Sequence, residues 1–231
     1  MMLRTYIEQK QSQLLNRQTD FYTPTGIHVF FKEPVDNINV EKVISDVEAS
    51  LPMHLLAELE MIIFGWFDEF EERSINAFYE GGTLYISHLQ DDASDLYDDV
   101  IHEIAHSSEE PYGYFLYGDK KIEEEFLRKR KYLHDILWKM GYKAPTSVFM
   151  NPEYNEEFDM FLYEKIGYDK LGEILTGIFV TPYAATSLRE YFATGFTEFY
   201  LHPEEHGFLK KIGPELYKKL VLLQDPEKLD N

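Results

Sequence analysis

Two of the eight histidines in this 231-residue chain stand four apart with a glutamate directly after the first: His102-Glu103-Ile104-Ala105-His106. On a helix, residues i and i+4 share a face, so two imidazoles at this spacing converge on one metal ion. Glu103 falls about 100° further round the helix, beside such an ion rather than on it. A carboxylate there can take a proton from an attacking water and hand it to a leaving amine. Ile101, Ile104 and Ala105 occupy the other side and read as core. A chain of this composition yields only about 0.03 such patterns by chance. A second pair, His202-Pro203-Glu204-Glu205-His206, has the inverted spacing. Pro203 cannot sit inside a helix and Gly207 follows at once, so this segment reads as a turn between helices with Pro203 at a helix start.

A hydrolytic metal centre needs three protein ligands and one open position. The chain has no cysteine, which leaves His, Asp and Glu as donors and excludes disulfides and a thiol nucleophile. The best-placed stretch is Ser187 to Glu198, an amphipathic helix after a loop, with Glu190 near its start and the small residues Ala193, Thr194 and Gly195 behind it. Taken alone, a Glu at this position is more often a solvated first-turn acid that complements the helix dipole than a ligand.

The pairing of His102-Glu103-Ile104-Ala105-His106 with Glu190-Tyr191-Phe192-Ala193 and Phe196 resembles the gluzincin peptidases. More narrowly it resembles the family of the anthrax lethal factor catalytic domain and the clostridial Pro-Pro endopeptidases, over about residues 76–220. The resemblance implies a zincin-like α+β fold: a small mixed β-sheet with the active-site helix, then a mainly helical lobe. It implies Zn2+ held by His102, His106 and Glu190, with Glu103 as general base and acid. That family has a Tyr seven residues before the ligand Glu; here that is Tyr183, implied as the donor to the negative oxygen. The chain departs from the pattern at Thr194, where the family commonly has an acid that supports a ligand histidine. The implied substrate is a peptide or protein laid along a sheet edge, with Phe78 and Tyr79 as candidate binding residues. A catalytically inactive binding or assembly module, or an effector that cleaves one specific protein, are the alternatives.

The elements that must position these residues follow from periodicity and turn signals. Ile27–Phe31 and Met61–Phe67 read as strands, and 77–87 as a hairpin turning at Gly81-Gly82. Helices are expected over 39–50, from the acidic start at Asp91 to about Ser107, and over 121–140, 152–166, 168–175, 187–201 and 214–223. Residues 2–18 read as a helix or loose arm, and Glu109–Gly118 as an aromatic, Gly-punctuated loop. Strands first and helices later argue for an α+β fold. The expected organisation is a single domain, 1–231, with an α/β lobe over 20–108 and a helical lobe over 109–231 that carries the third ligand.

The formal net charge of −20 repels phosphate backbones and anionic lipid surfaces, so neither nucleic acid nor membrane is expected as a partner. The hydrophobic share of 44% suffices for a sizeable core. No apolar run reaches membrane-spanning length, and the first residues lack a secretory apolar core. A cytoplasmic location is the resulting expectation.

Overall fold

The computed structural model describes residues 20–73 and 75–229. The chain is α+β and divides into two compact units, 1–107 and 108–231. The expectation for residues 2–18 lies outside the described residues.

The first unit is built on a five-stranded mixed sheet in the order β1-β2-β3-β5-β4. Its strands are β1 (Phe21–Tyr22), β2 (His28–Phe31), β3 (Met61–Gly65), β4 (Ala77–Glu80) and β5 (Thr83–Ser87). β2, β3 and β5 run parallel, while β1 and β4 pair antiparallel at the two ends. Parallel strands are covered on both faces and so read as continuous apolar runs, which is why Met61 to Phe64 carries no polar residue. Val29, Ile62 and Leu84 lie in register across β2, β3 and β5, and all are buried. The β4–β5 turn places both Gly81 and Gly82 at positive φ, 52° and 82°. A two-residue hairpin of this hand requires that conformation at both positions.

Helix α1 (Val40–Ser50) starts where the Asn39 side chain accepts from the Lys42 amide, and it buries Val40, Val43, Ile44 and Val47. A short helix, α2 (Asp68–Arg73), follows β3. After β5, the Asp92 carboxylate accepts from the amides of Ser94 and Asp95 and so caps α3 (Ala93–Tyr117).

The second unit is helical. It holds the remainder of α3, then α4 (Lys121–Lys139), α5 (Thr146–Phe149) and α6 (Glu156–Met160). A π-helical stretch (Phe161–Ile166), α7 (Tyr168–Leu175), a 3-10 turn (Tyr183–Ala185) and α8 (Leu188–Leu201) come next. After a 3-10 turn at Pro203–Glu205, α9 (His206–Ile212) and α10 (Pro214–Leu223) close the unit. Phe126, Phe149, Phe158, Phe179, Phe192 and Phe196 are buried here.

A polar network inside this core fixes α8. Glu125 on α4 is 1% exposed and accepts from the Tyr191 hydroxyl of α8 and the Glu215 and Leu216 amides of α10. The Lys129 ammonium donates to the same tyrosine oxygen at 2.6 Å, which balances the buried carboxylate. Gly195 lets α8 and α10 approach closely: a Cβ there would meet Leu216 Cδ2 at 2.3 Å.

Two elements differ from expectation. The helix that bears His102 and His106 does not stop near Ser107; α3 runs ten residues further, through Pro111, so 109–117 is helix and not loop. Contacts distant in sequence hold it: Leu116 is fully buried, and the Lys219 ammonium donates to the Phe115 carbonyl. The helix expected from Pro152 begins at Glu156, where the Asn155 side chain accepts from the Phe158 amide. The segment read as a turn between helices is the 3-10 turn Pro203–Glu205, with Pro203 in its first turn, and α9 follows from His206. Among the described residues, no helix is long and apolar enough to cross a membrane.

Candidate metal centre

Helix α3 carries two stripes. Leu96, Val100, Ile101, Ile104 and Ala105 are buried, which fixes the rotation of the helix about its axis. That rotation brings His102 and His106 to a partly exposed face, with ring centroids 5.1 Å apart and planes at 75°. Glu103, between them in sequence, is 8% exposed.

Glu190 is presented by the first turn of α8. Ser187 has extended backbone geometry, and its hydroxyl accepts from the Glu190 amide at 3.1 Å. Ser187-x-x-Glu190 is therefore a capped helix start with Glu190 at a defined position. The approach to this start is held by Arg130, which is 1% exposed and donates to the carbonyls of Ala185, Thr186 and Val148.

Ligand atoms of His102, His106 and Glu190 all lie within 4.8 Å of one another. Tetrahedral ligands at about 2.1 Å from an ion stand about 3.4 Å apart, so modest side-chain rotation closes the set. Two imidazoles and one carboxylate are the donor set of an open, three-ligand site. Among the described residues no other group of three His, Asp or Glu side chains meets this reach.

Tyr183 opens the 3-10 turn four residues before the Ser187 cap, and the Thr186 hydroxyl donates to its carbonyl at 2.8 Å. Burial raises its phenol far above the usual range, and the Glu190 and Asp159 carboxylates raise it further. The hydroxyl therefore keeps its proton at every working pH. Asp159 also accepts from Tyr154 and Tyr168.

Phe78 and Tyr79 lie on β4, the last strand in the sheet order. The Phe78 ring is buried and stacks on Tyr85 at 4.6 Å, while the Tyr79 hydroxyl accepts from the Gly82 amide. Thr194 is buried one turn beyond Glu190. Asp99 accepts from Gln90, and burial pushes its carboxyl up to about 7. His206 of the inverted pair stacks on Phe199 at 4.1 Å and bonds its carbonyl, a packing role.

One group beside the ligands escaped the sequence reasoning. Glu109, on α3, accepts from Arg189 on α8 and from the Tyr117 hydroxyl. Its signal was present: Glu109 is seven residues after His102 and three after His106, on the same helical stripe, and Arg189 directly precedes Glu190. The expectation of a loop over Glu109–Gly118 concealed it.

Comparison of the chain with protein-family models, with curated proteins and with solved structures finds no match.

Proposed function

We propose that this protein is a zinc-dependent endopeptidase with a zincin-like arrangement of its sheet and active-site helix. The observation that carries the reading is the convergence of His102, His106 and Glu190 within 4.8 Å, from positions 88 residues apart, around a helix that also bears Glu103. Zinc supplies Lewis-acid polarisation of a carbonyl and of water at such a site. The choice of zinc follows from the donors: two imidazoles and one carboxylate with an open position are its hydrolytic ligand set.

The protein's own groups divide the remaining work. Glu103 accepts the proton of the attacking water and returns it to the leaving amine. Its low exposure suits that task, because little bulk water competes with the attacking one for the carboxylate. Tyr183, held protonated, donates a hydrogen bond to the oxygen that becomes negative as the peptide carbonyl is attacked. The peptide would lie along β4 by backbone pairing, which gives affinity with little demand on sequence. In this arrangement Phe78 stiffens the strand from the core side, and Tyr79 holds the hairpin turn.

The test is hydrolysis of a peptide library by the zinc-loaded chain and its Glu103→Gln variant. Loss of about 10²–10⁴-fold in rate is expected for the loss of general acid–base catalysis, with zinc retained. Equal turnover by both proteins would refute the assignment of Glu103.

A further inference from the structure

The three ligands come from two helices, so their spacing depends on the register of α3 against α8. Glu109 sits where that register is set. It continues the His102–His106 stripe one turn onward, and its side chain is only 9% exposed. One carboxylate oxygen, Oε2, accepts from Nε of Arg189 at 2.8 Å and lies 2.8 Å from a terminal nitrogen of the same guanidinium. The other, Oε1, accepts from the Tyr117 hydroxyl. Both oxygens are thus committed, one to α8 and one to the end of α3. The Tyr117 ring then packs edge-on against Phe192, two residues past Glu190, with centroids 6.3 Å apart. Arg189 itself is the residue before Glu190.

We propose that Glu109 and Arg189 are positioning residues for the metal ligands. Their ion pair locks the first turn of α8 to α3 and holds Glu190 at ligand distance before an ion arrives. The proposal rests on the reading of His102, His106 and Glu190 as a zinc site. An ion pair with one well-covered partner and hydrogen bonds to both of its carboxylate oxygens is geometrically defined, unlike a pair of exposed side chains.

Charge and position predict opposite signs for Arg189. Arg189 is a cation next to a cation site, so removing its charge alone would tighten zinc binding. Removing a positioning contact would weaken it. The experiment is a zinc titration of the full chain against a competing chelator, for wild type, Arg189→Ala, Arg189→Lys and Tyr117→Phe. Thermal unfolding of each metal-free variant is measured alongside. Arg189→Ala is expected to weaken zinc binding by about 10–100-fold, the range for groups that support metal ligands. Arg189→Lys keeps the charge without the planar fork and should recover part of that loss. Tyr117→Phe should weaken binding less, because it removes the bond to Oε1 and leaves the Arg189 contact at Oε2. Removing the exposed Lys131–Asp135 pair on α4 by Lys131→Ala should leave affinity unchanged.

Zinc affinity equal to or tighter than wild type in Arg189→Ala overturns the proposal and leaves the zinc site standing. A fall in affinity matched by an equally large fall in metal-free stability also overturns it, since that is a general structural role. Wild-type protein that takes up no zinc overturns both readings together.

Discussion

In the proposed function Glu103 and Tyr183 have opposite tasks, one to accept a proton and the other never to lose it. The surroundings of Tyr183 meet the second demand: burial first, then the Glu190 and Asp159 carboxylates, keep the phenol neutral. Tyr183→Phe should therefore lower kcat by about 10²–10³-fold, with KM little changed, because the donor acts on charge present only during reaction. An unaltered kcat would remove Tyr183 from the chemistry. Asp99 gives a second, independent handle. Its carboxyl titrates at about 7 in the fold and at 3.8 when freely exposed. The folded state thus holds the proton more tightly, so this group's contribution to stability is full below about pH 4 and is lost as pH rises through about 7. Metal-free Asp99→Asn should consequently unfold at a higher temperature than wild type at pH 8, with little difference at pH 4. The reverse order in chelator-treated thermal scans would contradict the buried, proton-binding state assigned to Asp99. At this scale the sequence was highly legible for His102, Glu103 and His106, since i, i+4 spacing is local. The convergence of Glu190 on the two histidines was legible only through resemblance.

Two helices carry the candidate ligands, and their starts explain their aim. Asp92 caps α3 and Ser187 caps α8, each through its side-chain oxygen. Ser187→Ala should cost about 1 kcal/mol of stability, and it frays the turn that holds Glu190. Zinc affinity should fall in that variant and be restored in Ser187→Asn, which caps equally well; a chelator-competition titration reads both. The hairpin at Gly81-Gly82 and the extents of α1, α7, α8 and α10 were readable because caps, glycines and apolar spacing act within a few residues. The full length of α3 was not readable. Pro111 and Gly113 are local breaking signals, and they are overridden by partners that lie 80 and 104 residues away: Arg189 for Glu109 and Lys219 for the Phe115 carbonyl. For the same reason the Glu109–Arg189 pair stayed hidden, since it exists only if α3 continues.

The whole molecule is strongly acidic, with 42 acidic against 22 basic side chains. Despite this charge it keeps two compact units, one with the mixed sheet and one helical. The order of strands before helices made the α+β class legible, because β2, β3 and β5 each carry an unmistakable apolar run. The parallel pairing of those strands was not legible, since an apolar run reads alike in either direction. The buried Glu125–Lys129–Tyr191 network was equally invisible, because residues 62 and 66 apart must first fold together. A bound ion adds stability by mass action, about 2.7 kcal/mol when free zinc stands at 100 times Kd. That links the fold to its site, and the most direct test of the account is the zinc content of the chain after metal-replete preparation and dialysis. One zinc per chain is predicted for wild type and for Glu103→Gln, falling well below one in Glu190→Ala. A wild-type chain without zinc, or a Glu190→Ala chain that retains it in full, would contradict the account.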